Sequence, residues 1–61
     1  MGLQMNESEK IEKIKDLVLS SFLESGERIT ERNYYIGLYN GLEWAQSAIE
    51  DRDPIFKDVN E

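Results

Sequence analysis

The sequence predicts an all-α fold: an antiparallel helical hairpin of two main helices with a short C-terminal turn, dimerising into a four-helix arrangement. Two stretches carry apolar residues at helical spacing, and the connection between them, "GERI", is short enough to favour an immediate reversal. Asp53-Pro54 then closes the second stretch, because the residue before proline is driven out of the α region. The expected organisation is one small domain over 1–61, with residues 1–5 frayed, helices at about 7–25 and 31–51, and a tail at 52–61.

The first helix opens on Asn6 as N-cap, with Glu9 three residues later completing a capping box and Glu7 favourable to the helix dipole. Ile11, Ile14, Leu17, Val18 and Phe22 follow on an arc of about 140°. Leu19 and Leu23 fall outside that arc, so the last turns are apolar on more than one side. Ser25-Gly26 is the stop, with Gly26 supplying a left-handed residue. Thr30 is the expected N-cap of the second helix, with Ile29 and Tyr34 placed as a hydrophobic staple. Beyond it, Asp53 and Pro54 are suited to start one further turn, and Ile55, Phe56 and Val59 give the tail apolar groups to bury.

The second helix, "YYIGLYNGLEWAQSAI", is the informative element. About half of its circumference is uncharged and holds two adjacent ladders. Tyr35, Leu38, Leu42, Ala45 and Ile49 form a large-residue ladder, expected to pack on the first helix. Tyr34, Gly37, Gly41, Trp44 and Ala48 form a second ladder of mostly small residues. Each interior glycine costs roughly 1 kcal/mol against alanine, a cost that close approach of another backbone would offset. Self-association is therefore expected at Tyr34, Gly37, Gly41, Trp44, Ala45 and Ala48, most simply as a two-fold homodimer.

Composition points the same way. A chain of 61 residues buries little of its surface and usually needs a disulfide, a metal or a partner subunit. There is no cysteine and no histidine, which leaves association as the available staple. Thirteen acidic against seven basic residues give a net charge of −6, unfavourable for direct contact with nucleic acid or an anionic membrane. No apolar run of membrane-spanning length occurs, and "MGLQMNESEK" lacks the pattern of a signal peptide, so a cytoplasmic protein is expected.

No motif predicts catalysis. The glycines lie in a helix without a following Gly-Lys-Ser/Thr, and no serine triad can form without histidine, so a non-enzyme with no cofactor and no metal is expected. Glu43 and Glu50, with Asn40 nearby, fall on the face opposite the apolar arc and read as a solvated surface. The same side carries Ile36 and Tyr39, which together with Glu43 and Glu50 form a candidate partner-binding patch. Arg28 and Arg32 are expected to pair with Glu27, Glu31 or the tail. The acidic run Glu50, Asp51, Asp53 and Asp58 reads as a solvated end, or as an imitation of a phosphate track.

Residues 32–54, "RNYYIGLYNGLEWAQSAIEDRDP", resemble a pattern in short acidic phage and prophage proteins of Gram-positive bacteria. Asn33, Tyr35, Gly37, Leu38, Asn40, Gly41, Leu42, Glu43, Ala45, Arg52 and Pro54 carry the resemblance, which covers about a third of the chain. It implies a small accessory protein of infection, acting in the host cytoplasm, that binds and inhibits a host protein by occlusion, such as a defence-system nuclease or helicase. The alternatives are a structural or assembly component of the phage particle, and an acidic nucleic-acid mimic.

Overall fold

The computed structural model describes residues 6–58, and the expectations for residues 1–5 and for Val59 lie outside them. Two helices, α1 (Glu7–Glu24) and α2 (Ile29–Glu50), pack against each other as an antiparallel pair. The molecule is a slab 43 × 27 × 14 Å, so along its shortest axis it is one helix thick. Each helix therefore has a single neighbouring helix, and only Phe22 and Ile36 are buried among the large apolar side chains of the described residues.

α1 begins as its sequence requires. The Asn6 side chain accepts from the Glu9 N–H at 2.8 Å, while the Glu9 carboxylate accepts from the Asn6 N–H at 3.0 Å. Its C-terminal turn ends at Gly26, whose φ of 61° is the left-handed conformation that glycine adopts without steric cost.

α2 starts two residues earlier than expected, because Arg28 and not Thr30 is its N-cap. Arg28 donates from Nε to the Ser25 carbonyl at 3.0 Å and from Nη2 to the Glu24 carbonyl at 3.1 Å, and Arg32 Nη1 reaches the Gly26 carbonyl at 2.9 Å. Two guanidinium groups thus satisfy carbonyls at the C-terminal end of α1, where positive charge is favoured. This tightens the corner and draws Thr30 into the first turn. The expected pairing of Arg28 with Glu31 is present at 3.3 Å. The staple is not formed: Ile29 and Tyr34 are both exposed.

α2 ends in a Schellman turn. The Arg52 N–H bonds the Ser47 carbonyl at 2.9 Å and the Asp51 N–H bonds the Ala48 carbonyl at 3.4 Å, with Asp51 left-handed at φ 60°. The extra turn expected at Pro54 is absent, and residues 53–58 run without regular structure back along the hairpin.

The seam corrects the helical-wheel expectation. α1 packs on the Ile36, Glu43, Gln46 and Ser47 side of α2 rather than on the large-residue ladder. Leu38 and Ile49 of that ladder remain exposed, as do Tyr34, Trp44 and the glycines of the other. A Cβ placed on Gly37 or Gly41 meets nothing within 4 Å, so no neighbour within the chain requires bare backbone at either position. Gly41→Ala should therefore raise the stability of the isolated hairpin by about 0.5–1 kcal/mol through helix propensity alone. Urea unfolding at low protein concentration measures it, and a loss of stability would show that another surface covers this track.

Candidate functional site

Three residues spaced by seven on α1, Ser8, Lys15 and Phe22, oppose three spaced by seven on α2, Glu50, Glu43 and Ile36. Seven residues are close to two helical turns, so each set forms one row along its helix. The pairing is antiparallel: Ser8 Oγ donates to Glu50 Oε2, and Lys15 Nζ bonds Glu43 Oε1 at 2.6 Å. Phe22 and Ile36 close the row as the apolar end, with the Arg32 guanidinium 4.4 Å from the Phe22 ring centre.

The centre of this seam is a buried ionic cluster. Lys15 is 5% exposed and Glu43 3% exposed, yet every polar atom of both has a partner. Lys15 Nζ also donates to Gln46 Oε1 at 2.6 Å and stands 5.0 Å from the centre of the Tyr39 ring. The Gln46 amide, also buried, donates to Glu12 Oε1 at 2.9 Å and to the Ser8 carbonyl at 3.2 Å. On the far side of Glu43, Arg52 grips both carboxylate oxygens, Nη1 to Oε2 at 2.5 Å and Nη2 to Oε1 at 3.2 Å. Such a fork is the strong geometry for a guanidinium and a carboxylate.

The tail is held by its backbone. The Ile55 N–H donates to Glu43 Oε2 at 2.9 Å. The Asn40 side chain donates to the Lys57 carbonyl at 2.9 Å and accepts from the Lys57 N–H at 2.8 Å. An amide side chain thereby pairs with both polar groups of one residue, as a neighbouring strand would. Tyr39 lies between two ammonium groups, with Lys57 Nζ 5.6 Å from its ring centre on top of the Lys15 contact. The tail side chains are left outside: Ile55 is 75% exposed and Phe56 54%. Tyr39, Glu43, Arg52, Ile55, Phe56 and Lys57 line a groove of about 450 Å³ along this edge.

The electrostatics follow from these contacts. Hydrogen bonds from Arg52, then from Lys15 and the Ile55 N–H, hold the Glu43 carboxyl far below the usual carboxylate range despite its burial. Burial would lower Lys15, but the Glu43 hydrogen bond together with the nearby Tyr39, Glu43 and Glu12 outweighs it and the ammonium pKa is raised. Arg52 is raised by its bonds to Glu43 and Glu50, and Glu50 is lowered by Ser8 and Arg52. Glu43 accepts four hydrogen bonds, which leaves its lone pairs committed to structure rather than to taking up a proton.

Of the candidate partner-binding residues, Ile36 and Glu43 are therefore buried in the seam, Tyr39 is half-buried, and Glu50 is tied to Ser8 and Arg52. The expectation of a solvated Glu43 and Asn40 face is overturned, because α1 and the tail cover it. The self-association residues Tyr34, Gly37, Gly41, Trp44, Ala45 and Ala48 all lie on exposed surface, the last four lining a shallow depression. The roles of Lys15, Gln46 and Arg52 were missed. A signal for them existed in the matched rows of seven, which place Lys15 opposite Glu43.

Glu43→Gln keeps the shape but leaves buried Lys15 with only the half-exposed Glu12 carboxylate, 3.7 Å away, as counter-charge, and should cost up to about 3–5 kcal/mol in chemical denaturation. Lys15→Met combined with Glu43→Leu should recover only part of that loss, since it removes both desolvated charges but leaves Arg52 and the Ile55 N–H without their acceptor. The pH profile has a definite sign. Glu43 is depressed in the folded state, so its contribution is complete above about pH 5 and fades as pH falls through about 4 and below. Lys15 is raised, so its contribution holds below about pH 10 and fades as pH climbs beyond it. Urea midpoints should trace a plateau between these limits. Comparison of the chain with known protein families, with curated proteins and with solved structures finds no match.

Proposed function

We propose that this chain works by association and not by chemistry, as a small phage-encoded accessory protein that occludes a host protein in the bacterial cytoplasm. The observation that carries the reading is the tail. Three hydrogen bonds fix its backbone on α2, while Ile55 and Phe56 stay exposed at its crest. Apolar anchors presented on a fixed backbone lose little conformational freedom on binding, and an aromatic among them is the usual centre of a binding hot spot. The buried ionisable groups support the same reading, since their bonding capacity is spent on holding the tail and seam in place.

Acidic residues frame this surface. Glu12 and Asp16 of α1 and Asp51 and Asp53 near the tail are all exposed, which suits a partner with an apolar pocket inside a basic rim. The same acids favour nucleic-acid mimicry as a second reading, distinguished by competition from DNA.

Tagged wild-type chain should capture one stoichiometric protein from a Gram-positive host lysate, and Ile55→Asp with Phe56→Asp should abolish capture. Asn40→Ala, which frees the Lys57 backbone, should weaken it about tenfold by restoring tail freedom. Capture that survives both changes would overturn the tail as the docking element. Recovery of the chain in stoichiometric amounts from purified phage particles would favour the assembly role instead.

A further inference from the structure

The end of the chain is fastened to one helix only. Among the described residues, every hydrogen bond of residues 52–57 ends on α2 or within the segment itself. Arg52 reaches Glu43 with both terminal nitrogens, Glu50 with Nε at 2.6 Å and Gln46 with Nη2 at 3.4 Å, and its N–H meets the Ser47 carbonyl. The Ile55 N–H ends on Glu43 and the Lys57 main chain on Asn40, while the Lys57 ammonium faces the Tyr39 ring. The contacts between the helices are a separate set: Ser8 with Glu50, Lys15 with Glu43 and Gln46, and Gln46 with Ser8 and Glu12. Departure of the segment breaks none of these, and Glu43 keeps Lys15 as its counter-charge.

We infer that residues 52–57 are a hinged strap, which swings away about Asp51 as one unit while the two helices stay paired. Arg52 leaves Glu43 in the same motion in which Lys57 leaves Asn40. The separation of the two contact sets permits this, and two further observations favour it. One is how the strap is held. Ile55 is 75% and Phe56 54% exposed, so little apolar surface opposes release. Its polar bonds lie at an edge of the molecule where water can replace them, and a bond exchanged for water contributes little net stability.

The other is the hinge. Asp51 is exposed and left-handed at φ 60°, and among the described residues it is the only non-glycine with a positive φ. A residue with a Cβ enters that region at a cost, which Asp bears better than most. Opening returns Asp51 to an ordinary conformation, so the backbone works against the bonds that hold the strap closed. Closed, the strap displays Ile55 and Phe56 and covers the outer side of Glu43. Open, it withdraws that display and uncovers the Asn40 amide and Glu43 Oε2, the groups that had bound its main chain. The strap opens without any partner, so its motion is measured on the chain alone, apart from host capture.

Amide hydrogen exchange of the full chain, followed by NMR, tests the strap. The Ile55 and Lys57 N–H groups should share one protection factor within about threefold, at least about 30-fold below those of Leu42 and Glu43 in the middle of α2. Low urea should leave the two tail rates unchanged while speeding those of α2, because a local opening exposes little surface. Asp51→Gly relaxes the hinge and should slow both tail rates about threefold, whereas Asp51→Val should speed both about tenfold. Arg52→Gln should speed both at least about fivefold, Lys57 included, although the Lys57 N–H bonds only Asn40. Tail amides that exchange as in an unstructured chain, or that follow α2 in urea, overturn the strap. An Arg52→Gln effect confined to Ile55 overturns its opening as one unit, and tail rates indifferent to both Asp51 variants overturn the hinge. Should a variant lose its far-ultraviolet helix signal, the urea dependence of the wild type decides.

Discussion

Everything ordered in this chain converges on the carboxylate of Glu43. It takes one hydrogen bond from α1 through Lys15, a fork from Arg52 beyond the end of α2, and one from the backbone of the tail. Helix pairing, the terminal turn and the tail path are thus properties of a single buried anion. Burying a charge in this way is costly unless its partners are complete, and here they are. In so thin a molecule apolar burial alone offers little register, since only Phe22 and Ile36 are buried among its large apolar side chains. A charged pair with fixed hydrogen-bond directions distinguishes one register from its neighbours far better than interchangeable aliphatic contacts do.

The Schellman turn at Asp51 is what lets Arg52 reach that anion. By reversing the chain directly after α2, it brings a side chain nine positions further on back beside Glu43. The tail then follows the helix it has just left, and Asn40 receives it. Local backbone geometry and a distant ionic contact are here two parts of one device.

Much of the architecture was legible. The Asn6 and Glu9 capping pair, the left-handed Gly26 and the presence of two antiparallel helices all rest on local chemistry, which sequence expresses directly. What escaped was the orientation of α2. A helical wheel ranks faces by hydropathy and so turned the apolar half toward α1, whereas the actual seam is set by complementarity between Lys15 and Glu43. That information is pairwise and lies 28 positions apart. The N-terminus of α2 escaped for a related reason: Thr30 is a good cap in isolation, but the arginines at the corner serve carbonyls of the preceding helix. The tail contacts were hidden because Asn40 and Glu43 read as surface residues until something extended lies against them.

The manner in which the tail is held has a consequence for how the molecule can diversify. Asn40 and Glu43 bind the main chain of Lys57 and Ile55 and make no use of what projects from it. The hydrogen bonds that place the tail consequently do not depend on the side chains at positions 55 and 56. The contacts that position the tail are thus separable from the side chains it displays, as a finger is from its tip, and either residue can be exchanged with these hydrogen bonds intact.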